Sequence, residues 1–337
     1  MRVTRRGLMA GALVVSMGVS GPVQAQGASY ILATASVAGT FFPVGVAIST
    51  LTRVRLEPTT GIGMSAIASA GSGENVRLMR ENEAQFSILQ ALFGYYAVNG
   101  IGPVEADGPQ ENIRSIMTLW PNVEHFIVSA SRAETGTVAD FLALRGERVN
   151  LGAQSSGTLG SNRLILGNAG IDIDEHFQLV FSGFGPAAEQ MQNAQVAGVS
   201  INGGPPVGAI TQLMAAAGDS VRILDVTDEE IALLDGGFNL WTRFVIPAGT
   251  YPGQTEPINT IGQPNFLAVN ADVPEDHVYE ITRAVFENLP FLNAIHPATE
   301  FIQLKSAIDG LPAPLHPGAL RFFREAGLDI PDRLIAD

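Results

Sequence analysis

Three short segments combine glycine with hydroxyl side chains: Gly39-Thr40, Gly71-Ser72-Gly73 and Ser155-Ser156-Gly157-Thr158. Glycine lets the backbone approach a bound group closely, and serine and threonine hydroxyls donate hydrogen bonds. Each segment leads into a stretch with helical spacing, whose first turn offers free N–H groups and about half a positive charge. Loops of this design suit a small carboxylate and need no basic side chain. The same residues also serve as plain N-caps; their recurrence in three separate loops favours the ligand reading. Gly39, Thr40, Ser72, Ser156, Gly157 and Thr158 are therefore candidate ligand residues. Gln90 ends an apolar segment, where its amide would either orient a ligand or face solvent. Phe41, Phe42, Tyr95 and Tyr96 would either wall a pocket or belong to the core. The loop Asn202-Gly-Gly-Pro-Pro206 offers backbone contacts, Gly204 among them, or a structural turn.

Enzyme motifs are scarce. The only lysine, Lys305, lacks the glycines of a phosphate-binding loop, and neither G-x-G-x-x-G nor G-x-S-x-G occurs. The histidines (His125, His176, His277, His296 and His316) are too scattered to suggest a zinc set, so no metal and no cofactor are expected. His296-Pro297 and His316-Pro317 read as turns. Glu229-Glu230 and Asp172/Asp174 read as solvated faces.

These residues need elements to hold them. Tyr30–Ala35, Ser65–Ala70 and Phe86–Gln90 read as buried strands, each followed by a helix: Phe41–Leu51, Asn75–Asn82 and Ala91–Val98. Strand alternating with helix predicts parallel βαβ units. Ile113–Leu119 and His125–Ser129 read as two further strands, and Thr137 as the N-cap of a short helix. The strands Arg148–Gly152, Val196–Ile201 and Val221–Asp225 continue the pattern with the helices Leu159–Ala169 and Val207–Ala217. Residues 247–265 read as a long irregular connection, Phe266–Asn270 as a strand, and Pro274–Leu289 and Phe301–Ala307 as helices. Two stacks of this kind predict two lobes, 26–121 plus 268–337 and 122–267. Ligands then bind beyond the carboxyl ends of the strands.

The chain has 337 residues, 46% apolar and 15% charged, enough for a sizeable core. With 33 acidic and 19 basic residues its net charge is −14, ill suited to neutralising phosphates, so nucleic acid is not an expected partner. Cysteine is absent, which excludes disulfides and thiolate chemistry. Arg2, Arg5 and Arg6 precede the apolar run Gly7–Val19, and Val23-Gln24-Ala25 supplies small residues for cleavage after Ala25. This order reads as a secretory signal peptide over residues 1–25, with the Arg5-Arg6 pair leaving the twin-arginine and general routes both open. Its removal takes three arginines and no acid, leaving −17. Such a charge favours a soluble monomer.

Seven motifs, in order, resemble the TAXI branch of the solute receptors of tripartite ATP-independent periplasmic (TRAP) transporters. They are Thr34–Gly45, Gly71–Leu78, Phe86–Gln90 with Tyr95–Gly100, Ser155–Thr158, Ile246–Tyr251, Leu315–Ala319 and Phe322–Gly327. The resemblance spans nearly the whole mature chain. It implies an α/β, two-lobed periplasmic-binding-protein fold of type II with the ligand cleft between lobes. It also implies a periplasmic location, and delivery of glutamate, glutamine or a 2-oxoglutarate-like dicarboxylate to an ion-gradient-driven permease. By motif match Thr40, Phe41, Ser72, Gln90, Gly157 and Thr158 are the ligand residues. Two departures stand out: Ala91-Leu92 where the family has Ser-Asp, and Gln154-Ser155 where it has Pro-Gly. If the missing aspartate faces the cleft, a more anionic or more apolar ligand is favoured; if it faces the helix, nothing follows. A transport receptor is the expectation. An exported enzyme on the same scaffold and a ligand sensor for a kinase or chemoreceptor are the alternatives.

Overall fold

A computed structural model describes residues 27–336; the expected signal peptide lies outside them. The architecture is mixed α/β. Ten strands form one sheet: β1 (Ala28–Ala33), β2 (Ile62–Ile67), β3 (Phe86–Gln90), β4 (Ile113–Ser129), β5 (Arg148–Asn150), β6 (Gln178–Val180), β7 (Gly198–Gly203), β8 (Val221–Ile223), β9 (Thr242–Ile246) and β10 (Ile258–Asn270). The order is β2-β1-β3-β10-β4-β7-β5-β6, with β8 on β4 and β9 on β10. β1, β2 and β3 are parallel, as are β5, β6 and β7, while β10 and β4 run antiparallel to each other.

The two long strands divide the molecule into halves. The end of β10 pairs with β3 and the start of β4, in the first half. The start of β10 pairs with β9, and the end of β4 pairs with β7 and β8, in the second. β3 is buried along its whole length, which explains its near-continuous apolar run Phe86-Ser-Ile-Leu. The helices Glu275–Glu287 and Pro317–Glu325 pack together and return the chain to the first half, against β4.

Several expectations are corrected. Residues 113–129 form one strand rather than two, and residues 258–265, expected to be irregular, are the first part of β10. Pro121 lies between the two strands expected there and Pro264 in the expected irregular connection, yet they face each other across the β4–β10 ladder, next to a register shift. At such a point neither owes the sheet an N–H. Phe301–Ala307 is not an α-helix. Tight turns at Pro297–Phe301 and Leu304–Ser306 replace it, the first capped by the His296 side chain. The second strand sits three residues earlier than expected, which frees residues 68–71 as loop. The helix Phe184–Gln192 was not expected; its Pro186 is tolerated because it lies in the first turn.

Candidate functional site

The carboxyl ends of the parallel strands in both halves turn toward one cleft. Five helices begin there: Phe41–Arg55, Ser72–Arg80 and Ala91–Asn99 from the first half, Gly157–Asn168 and Phe184–Gln192 from the second. Their N-cap residues, Thr40, Gly71, Gln90, Ser156 and Gly183, all line the cleft. Four of these helices carry no acidic residue in the first turn. Acids are the ordinary complement to a helix N-terminus. Their absence leaves the positive ends free for something else. The fifth helix has Glu74, whose carboxylate accepts from Ala70 N at 2.6 Å.

Eight candidate residues line this cleft: Gly39, Thr40, Phe41, Ser72, Gln90, Ser156, Gly157 and Thr158. Gly204 does not. Its carbonyl accepts the Thr40 hydroxyl at 2.7 Å, and a Cβ at this position would strike Trp120 Cδ1 at 2.5 Å. Gly204 thus lets the 202–206 loop press close to the core. Of the four aromatics, only Phe41 reaches the cleft; Tyr96 is core and Tyr95 is exposed. Leu92 is fully buried in the main hydrophobic core, and neither Ala91 nor Leu92 touches the cleft. The departure from the family's Ser-Asp therefore alters the helix interior and leaves the lining's charge unchanged.

The lining contains no charged or titratable side chain. Its free space is about 30 Å3, room for about two waters. Five hydrogen bonds tie the halves together around it: Thr40 Oγ1 to Gly204 O (2.7 Å), Ala209 N to Ala38 O (3.0 Å), Phe184 N to Ser36 Oγ (3.3 Å), Glu74 N to Ser155 O (2.9 Å) and Ser161 Oγ to Gln90 Oε1 (3.0 Å). The conformation is closed.

Local sequence explains the positioning. Asn75, fully buried in the helix from Ser72, donates to Thr34 O at 2.7 Å and Ile88 O at 3.0 Å, so one amide pins the ends of β1 and β3. Gln90 N donates to Ser72 Oγ at 3.1 Å. The Ser156 hydroxyl caps its helix by accepting from Leu159 N. Capping and ligand contact are thus compatible roles, since a capping hydroxyl keeps its proton.

Sequence reading passed over Asn122 and took Asn202 only as the start of a backbone loop. Asn122 and Asn202 both line the cleft and are almost wholly buried. The Thr158 hydroxyl donates to Asn202 Oδ1 at 2.8 Å, and Asn202 Nδ2 donates to Glu124 Oε1 at 3.3 Å. Glu124 is fully buried, and its Oε2 has no partner. Burial pushes its carboxyl up to about 8, with Asn202 and then the nearby Trp241 indole opposing the shift. It is therefore largely protonated at neutral pH. Next to it, His125 Nδ1 faces the carbonyls of Val123 (3.1 Å) and Ile201 (3.0 Å), so the neutral ring carries its proton there. Nε2 then accepts from the Tyr251 hydroxyl at 2.8 Å, and Val207 N donates to that oxygen at 3.2 Å. Burial pushes His125 down to about 4. This buried group braces the loop after β7. The Glu124-His125 pair, set between Val123 and the apolar run Phe126-Ile127-Val128, was the available signal.

Among the described residues no three His, Asp or Glu side chains gather to hold a metal ion, and no helix is long and apolar enough to cross a membrane.

The fold is similar to several solved proteins. One is the periplasmic aliphatic sulphonate binding protein SsuA from Escherichia coli (13% identity, covering 79% of this chain and 78% of that one, TM-score 0.44). Another is a binding-protein component of a phosphonate transporter from Pseudomonas aeruginosa (10%, 80% and 78%, TM-score 0.49). A third is a TctC solute binding protein from Polaromonas (14%, 83% and 89%, TM-score 0.45). The ligands in those names belong to those proteins. The NMT1-like family model matches residues 32–327, nearly the whole of the described chain, and the protein belongs to that family.

Proposed function

We propose that this protein is an exported solute receptor that closes on a small carboxylate and delivers it to a membrane permease of the TRAP type, driven by an ion gradient. The observation that carries the reading is the convergence of five helix N-termini, from both halves, on a cleft with no charged side chain. Each N-terminus contributes unpaired N–H groups and about half a positive charge. Together they replace the water around a carboxylate without a salt bridge. Gly39, Thr40, Phe41, Ser72, Gln90, Ser156, Gly157 and Thr158 are the proposed ligand contacts, with Asn122 and Asn202 added. The motif resemblance supports the TAXI branch, the periplasmic location and a glutamate, glutamine or 2-oxoglutarate-like ligand. The lining offers no general acid or base, which favours binding over catalysis.

Lobes 26–121 plus 268–337 and 122–267 would open about the β4–β10 crossing. The Pro121–Pro264 pair supports a hinge there, since a ladder without N–H donors bends at low cost. The ligand then shifts the population toward the closed state, because only there do both halves touch it. Isothermal titration with small carboxylates tests the reading. Micromolar binding, about −8 kcal/mol, is expected; failure of every small carboxylate, amino acid and oxo acid would overturn it.

A further inference from the structure

The hydrogen-bond directions in the cleft say more about the ligand than its charge. Two of the three amide oxygens in the cleft, and three of its hydroxyls, already accept a hydrogen bond, while the Thr40 and Thr158 hydroxyls spend their protons within the protein. Gln90 Oε1 accepts from Ser161 at 3.0 Å, and Asn202 Oδ1 from Thr158 at 2.8 Å. The hydroxyls of Ser36, Ser72 and Ser156 accept from the backbone N–H groups of Phe184, Gln90 and Leu159. Those three hydroxyl protons, the Gln90 Nε2 protons and one Asn202 Nδ2 proton are left to donate. Asn122, 1% exposed and lining the cleft, has an amide nitrogen with no partner in the protein. Only its oxygen is an uncommitted side-chain amide acceptor, and there is no carboxylate anywhere in the lining.

An α-amino acid brings an ammonium with three N–H donors. In this cleft it would meet donors and five positive helix ends. A buried cation without acceptors costs far more than a neutral group in its place. A carbonyl or hydroxyl at the same carbon meets only partners. We propose that the cleft selects oxo or hydroxy acids and rejects the matching α-amino acids. This rests on the receptor reading above and narrows its ligand class. Because donors face inward from both halves, a dicarboxylate with one acid group toward each half is the best-matched shape.

The test is isothermal titration of the full mature chain with matched pairs: 2-oxoglutarate and L-glutamate, oxaloacetate and L-aspartate, pyruvate and L-alanine. For the chain length that binds, the oxo acid is expected to be tighter by at least about 100-fold, or about 2.8 kcal/mol. Equal or tighter amino-acid binding would overturn this proposal while leaving the carboxylate receptor intact. Silence from every compound would overturn the receptor reading instead. A second measurement uses Asn122→Asp, which places an acceptor-only group in the cleft. It is expected to weaken the oxo acid at least tenfold and to narrow the ratio between the pair. Gln90→Glu gives the same comparison should Asn122→Asp not fold. An unchanged ratio in the folded variants would refute the donor-rich account.

Discussion

Replacing Gly157 with alanine separates closure from folding. A Cβ at this position would lie 2.8 Å from Gln90 Cδ and Oε1 and 2.9 Å from Nε2. Ordinary carbon contacts begin at about 3.5 Å, so the Gln90 amide must retreat by roughly 0.7 Å or the halves must stay apart. Gln90 is nearly buried and holds the Ser161 hydroxyl across the cleft. Its displacement forfeits that bond and misdirects Nε2, each worth about 1 kcal/mol. Ligand affinity should therefore fall by about 2 kcal/mol, close to thirtyfold. Stability should move the other way. Gly157 opens a helix and its φ is not positive, so alanine there gains about 0.4–1 kcal/mol by restricting the unfolded chain. Calorimetric titration beside a thermal melt reads both quantities. In a Gln90→Ala background the wedge has nothing to push, and Gly157→Ala should then cost less than about threefold in affinity. A variant that binds within twofold of the parent would refute the steric argument. So would an equal loss in both backgrounds.

Three further outcomes are expected. Ser155 holds a left-handed φ of 59° where the resembling family has glycine, so Ser155→Gly should raise stability by about 0.5–1 kcal/mol in urea unfolding; a loss would argue against strain there. Glu124 is pushed from 4.5 to about 8 by burial, so the folded state keeps a proton that the unfolded chain releases above about pH 4.5. Its stabilising contribution is complete at lower pH and drains as pH rises toward 8. Glu124→Gln should match the parent near pH 4 and exceed it by a few kcal/mol near pH 8; His125, pushed down to about 4, contributes the opposite slope to both proteins and cancels in the difference. A difference that stays flat with pH would refute the buried-carboxyl account. Finally, Trp120 is buried and stacks edge-on against cleft-lining Phe41, with ring centroids 6.0 Å apart. Ligand should change tryptophan fluorescence in the parent and in Trp241→Phe, and not in Trp120→Phe.

The local chemistry of the cleft was legible in the residues. Glycine beside serine or threonine at a strand-to-helix junction is a short-range signal, because the turn, the cap and the free N–H groups all arise within a few residues. Thr40, Ser72, Ser156, Gly157 and Thr158 could thus be found without coordinates. The parallel strand–helix alternation was legible for the same reason. What lies far apart in sequence was not. Pro121 and Pro264 read as lying outside strands until each is seen opposite the other. Asn122 and Asn202 look like ordinary polar residues until pairing and burial turn them into the cleft. Gly204 looks like a ligand loop until the approach of Trp120 and Ala298 shows it to be a packing glycine. Leu92 leaves two readings open in sequence, and its burial in the core decides between them. Propensity and capping act over one turn of chain, whereas burial and hydrogen-bond direction depend on which distant segments meet, and only the folded sheet brings those together.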